Sequence, residues 1–245
     1  MGYRKEELVT IKEKFAFTLA EVLITLGIIG VVAAITIPSL ITSYNKKITE
    51  TRLAKFYSVF NQAIRLSVAD NGDVDTWDDY WNASENTYVD GEIQDNETGV
   101  EGAFETYLKP YMQIAYKKKI TFGGLNQTLY VLPDGSAFSY RHYDTRDITF
   151  FPKDAEKCIA RGATTSLKVG VCGFMFIFHP NSETTDWKYH YNKGIEPYLY
   201  EWDGNEEHLK SGSTYSCTRM GYYCTAMIKM NGWKIPKDYP LKIQY

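Results

Sequence analysis

The chain has 245 residues, and 44% hydrophobic against 23% charged residues gives it material for a packed core and excludes global disorder. A formal net charge of −3 argues against a dedicated nucleic-acid surface. Twenty tyrosines and 12 phenylalanines suit β-structure and contact surfaces. The four cysteines, Cys158, Cys172, Cys217 and Cys224, all lie in the C-terminal part of the chain.

The first predicted element is an apolar helix. Residues 1–16 form a polar leader with Arg4, Lys5, Lys12 and Lys14 beside Glu6, Glu7 and Glu13. Residues 17–41, FTLAEVLITLGIIGVVAAITIPSLI, carry one charge, Glu21. As a helix this run spans roughly 37 Å, enough for a hydrocarbon layer of ~30 Å. The cations of the leader favour keeping it in the cytoplasm, with the remainder outside. An ordinary secretory signal has an apolar stretch of about 7–15 residues followed by a small-residue cut site. This run is longer and no such site follows it. A plain signal anchor is the other ordinary reading.

The run does not end the helix. After Pro38, the residues Ile41, Ile48, Leu53, Phe56, Tyr57, Phe60, Ile64 and Val68 recur every three or four positions, and Asn71-Gly72 supplies a C-cap signal. One helix of about 53 residues is therefore expected from Phe17 to Asp70. Residues 17–41 are apolar all round and residues 42–71 are amphipathic, which calls for lipid or other helices around the first part and a sheet against the second.

The string Ala16-Phe17-Thr18-Leu19-Ala20-Glu21 resembles the processing site of type IV prepilins and type II secretion pseudopilins. The resemblance is close over residues 14 to about 60 and extends beyond that only in general plan. It implies a cut between Ala16 and Phe17 by a prepilin peptidase that then methylates the amino group of Phe17. Ala16 stands where the family usually has glycine, but it is equally small. A carboxylate inside a bilayer helix costs a few kcal/mol and usually marks function, and the surrounding run offers Glu21 no evident structural use. The resemblance gives it a partner, the charged amino terminus of a neighbouring subunit, and with it a role in assembly register. The plainer alternative is that Glu21, near the helix end, reaches the headgroup region. Pro38 would mark a helix bend, and Gly27 and Gly30 permit close helix approach.

Residues 72–245 read as a globular head. The acidic stretch from Asp70 to Gly99 reads as a connecting loop. Its Asp73, Asp75, Asp78 and Asp79 offer a weak calcium possibility, but they lack the glycine and terminal glutamate of an EF-hand loop. Phe104, Tyr107, Leu108 and Tyr111 suggest a short helix. MQIAYKKKITF begins a strand, TLYVLPDGSAFSY forms a hairpin around Pro133-Asp134-Gly135, and residues 169–179 make the most apolar strand, expected at the centre of the sheet. YLYEWDG, residues 198–204, reads as a short strand or a turn. CTAMIKM before Asn231-Gly232 reads as a last short helix, with Trp233 and Tyr239 pinning the tail. The fold class is α+β: a long N-terminal helix packed on a C-terminal antiparallel head, the pilin-like plan.

Four cysteines admit three complete pairings. The simplest is Cys158–Cys172 with Cys217–Cys224, and an even count beyond a membrane signal suits an oxidising compartment. A C-terminal disulfide loop is also common in the resembling family. Zinc-ligand spacing is absent, and no metal or cofactor is expected. His142, His179, His190 and His208 are scattered, and no nucleophile elbow or phosphate loop appears, so no enzyme is expected. Lys117, Lys118 and Lys119 read as a solvated strand edge, and no nucleic acid is expected as partner.

The resemblance implies a single-pass subunit of the bacterial inner membrane with its head outside the cytoplasm, later assembled in a periplasmic or cell-surface fibre. Its partners would be the prepilin peptidase, other pilin subunits, an assembly platform protein and the bilayer. The alternative is a membrane-anchored adhesin or binding module that never polymerises.

Overall fold

The computed structural model describes residues 18–77, 80, 88–89, 92–93, 97–122, 125–140, 145–162, 169–179 and 194–245. These residues divide between Ile41 and Thr42 into two compact units. The helix α1 covers Leu19–Asn71, 53 residues, with Pro38 inside it. Its length and C-terminal end match expectation. Gly72 adopts φ +84°, and its amide donates to the Val68 carbonyl at 3.0 Å, the left-handed cap that glycine supplies without a Cβ clash.

In the head, the short strands β1 (Tyr88–Val89) and β2 (Glu92–Ile93) pair with each other. The helix α2 covers Glu97–Tyr107. A six-stranded sheet follows: β3 (Tyr116–Phe122), β4 (Leu125–Val131), β5 (Ala137–Tyr140), β6 (Asp147–Phe151), β7 (Phe174–Phe178) and β8 (Ile195–Pro197). The strands lie in sequence order and every pair is antiparallel. Among the described residues the head also has the short helices α3 (Ala155–Gly162), α4 (Glu206–Lys210) and α5 (Cys224–Met230).

Side-chain alternation assigns the two faces of the sheet. Phe138, Phe150, Phe174 and Phe176 join one core with Leu53, Phe56, Phe60 and Ile64 of α1. Phe56 stacks on Phe150, with ring centroids 4.2 Å apart. On the other face, Met175 and Ile177 pack with Trp202, Leu209 and Tyr223. Leu129, Val131 and Phe151 pack with Ala155 and Ile159 of α3. Strand β7 is therefore buried on both faces, as a continuous apolar run requires. It lies next to the edge strand β8 rather than at the centre of the sheet.

The buried stripe of α1 is rotated from the expected one. Asn45, Thr49, Ala63 and Ser67 are buried, while Ile48, Tyr57 and Val68 are only partly so. Polar partners explain the shift: the Thr49 hydroxyl bonds the Tyr245 hydroxyl, and Ser67 accepts from Asn71 at 3.0 Å. The acidic segment is not merely a loop either. Trp77 and Tyr80 are fully buried, and Trp77 stacks on Tyr107 at 4.8 Å. Residues 198–204 form no strand and turn at Tyr200–Glu201, and the strand there is β8 just upstream.

Glu196 of β8 is buried and would be expensive there alone. It pairs with Lys229 of α5 and accepts from the Tyr57 hydroxyl at 3.0 Å, tying three elements together. The disulfides are Cys158–Cys172 and Cys217–Cys224, with Cα atoms 5.8 and 4.7 Å apart.

Candidate assembly segment

The feature that calls for a function is the first part of α1. Between Leu19 and Ile41, 13 large aliphatic side chains are exposed, Leu19 and Ile35 among them at 77% and 72%. Among the described residues, α1 is the one helix long and apolar enough to cross a membrane, and none of its apolar stretch is buried. At about 1.5–3 kcal/mol per large side chain, covering this surface recovers on the order of 20 kcal/mol. The two threonines within it are already satisfied. Thr25 donates to the Val22 carbonyl at 3.0 Å and Thr36 to that of Val32 at 2.9 Å. The segment can therefore enter an apolar surrounding without stranding either hydroxyl.

Glu21 has a local partner after all. Its Oε2 accepts from the Thr18 amide at 2.9 Å and from the Thr18 hydroxyl at 2.8 Å, while the Glu21 amide donates to Thr18 Oγ1 at 3.3 Å. This is a capping box, which satisfies amide donors that the first turn of a helix leaves open. The signal was present in the sequence: Thr18-Leu19-Ala20-Glu21 has the required Thr-x-x-Glu spacing just before an apolar run. Ala16 and Phe17, the expected cleavage and methylation residues, lie outside the described residues.

An added Cβ at Gly27 or Gly30 meets no atom within 4 Å. Nothing among the described residues therefore calls for glycine there, although each weakens the helix by roughly 1 kcal/mol relative to alanine. Pro38 does not stop α1. It withholds the bond an amide there would give to the Ala34 carbonyl, and helical residues continue on both sides.

The other expected sites resolve differently. All four cysteines are in disulfides, in the simplest of the three pairings. Asp78 and Asp79 lie outside the described residues, and among the described residues no three His, Cys, Asp or Glu side chains stand close enough to share a metal ion. The lysine triplet of β3 is matched by acids. Lys117 pairs with Glu101 and, at 2.7 Å, with Glu105; Lys118 pairs with Glu156 and Lys119 with Glu101, both at 2.7 Å. Burial pushes the Glu101 carboxyl up, but the ammonium groups of Lys117 and Lys119 outweigh it and hold it down at about 2. The triplet thus sits on an edge strand with its charge largely neutralised, a common guard against strand-to-strand association. An open cleft of about 650 Å³ lies beside it, with Leu129, Val131 and Ala137 among its lining and Asp154 and Lys157 near the start of α3.

The chain belongs to the family described as a family of unknown function (DUF6613), whose model matches residues 39–243. The match begins just after Pro38 and takes in the head as far as residue 243. No curated protein and no solved structure matches the chain.

Proposed function

We propose that this chain is a structural, non-enzymatic subunit of a type IV pilus or type II secretion-like fibre. It is cut before Phe17, held in the membrane by residues 17–41, and polymerised through that same segment. The observation that carries the proposal is the exposed apolar helix, bearing one carboxylate, that continues without a break into the core helix of a disulfide-bonded head. Gly27 and Gly30 support it, since close helix neighbours supply the reason for glycine that the isolated chain lacks. The disulfides support the orientation that the leader's cations favour, which matters because cations also follow the run. Arg4, Lys5, Lys12 and Lys14 precede it, and Lys46, Lys47, Arg52 and Lys55 follow it.

Assembly then exchanges lipid contacts around the apolar helix for contacts with sister helices, at little cost in exposed surface. Glu21 serves twice in this scheme. Within the chain it closes the first helical turn, and between chains its charge meets the amino terminus of a neighbour.

Mass spectrometry of the mature chain tests the processing step. A terminus at Phe17 carrying one added methyl group is expected, and an intact Met1 would instead favour an anchored module that does not polymerise. The two roles of Glu21 separate in Glu21→Gln. Glutamine still closes a capping box but carries no charge. The variant is expected to insert into the membrane normally and to be lost from fibres. Incorporation at the wild-type level would leave Glu21 as a cap alone.

A further inference from the structure

The charge just beyond the apolar run is arranged differently from that on β3. Along α1 the exposed side chains pass from Leu40 and Ile41 to Tyr44, at 59% exposure, and then to Lys46 and Lys47. Among the described residues no carboxylate lies within ion-pair distance of Lys46 or Lys47, in a chain whose net charge is negative. The nearest acid along the helix, Glu50, is already engaged. It takes the Lys234 ammonium at 3.2 Å and the Ile235 amide at 3.0 Å. The Lys234–Glu50 pair lies beside Lys47 and adds no net charge, so the excess positive charge here is that of Lys46 and Lys47.

Depth gives these cations a partner. A bilayer's headgroup layer adds roughly 5–8 Å beyond each side of the hydrocarbon. At 1.5 Å per residue, Tyr44 stands about 4.5 Å past Ile41, within that layer, and Lys46 and Lys47 about 7.5–9 Å past it, at its outer edge, from which a lysine's long stem reaches back to the head groups. An aromatic with a polar tip followed by two cations that no described carboxylate neutralises is an order that suits an interface with anionic lipid.

We propose that Tyr44, Lys46 and Lys47 form a collar at the start of the head that binds anionic phospholipid head groups while the subunit is held in the membrane. The collar rests on the reading of residues 17–41 as a membrane anchor, and not on polymerisation. It holds the stored subunit at a fixed depth, and it must be released when the subunit leaves the bilayer.

The test is lipid selectivity of the full chain reconstituted in vesicles of phosphatidylcholine with phosphatidylglycerol. Spin-labelled versions of each lipid report the fraction immobilised at the protein boundary. The wild type is expected to prefer phosphatidylglycerol, and Lys46→Gln/Lys47→Gln to lower that preference at least ~2-fold. The drop on substitution is the readout, because the leader's cations add to the absolute preference. Both lysines are exposed, so the head of the double variant stays folded, as its near-ultraviolet dichroism will report. Lys118→Gln, on β3, is expected to change nothing. An immobilised lipid fraction whose selectivity is the same in wild type and double variant overturns the collar and leaves the anchor standing. Absence of any immobilised fraction overturns both.

Discussion

Strand β7 buries every side chain from Phe174 to Phe178, whereas α1 between Leu19 and Ile41 leaves 13 large aliphatic side chains in the open. Both stretches are made of apolar residues, so composition alone does not separate them. The difference lies in what the same chain provides as cover. β7 has α1 and α2 residues on one face and the segment from Tyr198 to Ala226 on the other. Among the described residues, the first part of α1 has no polar face to turn outward, and none of its apolar stretch is buried. On the function proposed above, lipid or other chains supply its cover.

The largest test of this division is a pair of truncations. Phe56 is 1% exposed and touches Phe60, Phe138, Phe150 and Phe176. Phe56→Ala is expected to lower the stability of the head by about 3–5 kcal/mol. Ile29→Ala, at a position 62% exposed, is expected to change it by less than about 0.5 kcal/mol. Denaturant unfolding of the full chain in detergent micelles, followed by near-ultraviolet dichroism, measures both. Equal losses would mean that the two stretches are not energetically separate.

A second test concerns only the head. The Cys158–Cys172 bond joins residues 14 apart in sequence and lies among Phe151, Ala155 and Ile159, on the sheet face opposite α1. Its removal by Cys158→Ala/Cys172→Ala is expected to cost about 3 kcal/mol, and removal of the shorter Cys217–Cys224 loop about 2 kcal/mol. Membrane insertion of either variant is expected to be unchanged. A head that kept its full stability without both bonds would remove the argument that it matures in an oxidising compartment.

These two regions were unequally legible in the sequence. The extent of α1 could be read almost residue for residue, because an apolar run that passes into a three- and four-residue periodicity across Pro38, and an Asn-Gly end, are strong signals. The hairpin around Pro133-Asp134-Gly135 was equally plain. What escaped was short or depended on distant partners. β6 is five residues, DITFF, next to charged sequence, and α3 and α4 have eight and five residues. Trp77 and Tyr80 sit in acidic sequence and are buried only because Tyr107 and Phe178 come back to meet them. The rotation of the α1 stripe depends on Tyr245, nearly 200 positions away from Thr49. At the N-terminal segment the Thr-x-x-Glu pattern was in plain view, and the oddness of a carboxylate in an apolar run drew attention away from its local use.

The smallest expected effect is a pH dependence confined to the head. Glu101 is held at about 2 by Lys117 and Lys119 against the opposing pull of burial. Asp134 is likewise held at about 2, burial again opposing, by the Lys55 ammonium and by the hydroxyl and amide of Ser136. In the unfolded chain these carboxyls titrate near 4.3 and 3.9. As pH falls below about 5, the unfolded chain therefore takes up protons before the folded one does. The stability these groups give is present in full at neutral pH and drains away between about pH 5 and pH 2. Because the lysine partners are largely solvated, each group is expected to contribute about 1–2 kcal/mol rather than the full linkage value. Urea midpoints of the full chain in micelles at pH 7, 4 and 3 measure the decline. Lys117→Gln/Lys119→Gln removes the groups that depress Glu101, so its midpoint is expected to start lower at pH 7 and to fall less steeply than the wild type's. A parallel fall in both proteins would show that the Glu101 pairs do not carry the effect. The same pair of curves measured on Ile29→Ala is expected to overlay the wild type, because that side chain does not titrate and is largely exposed.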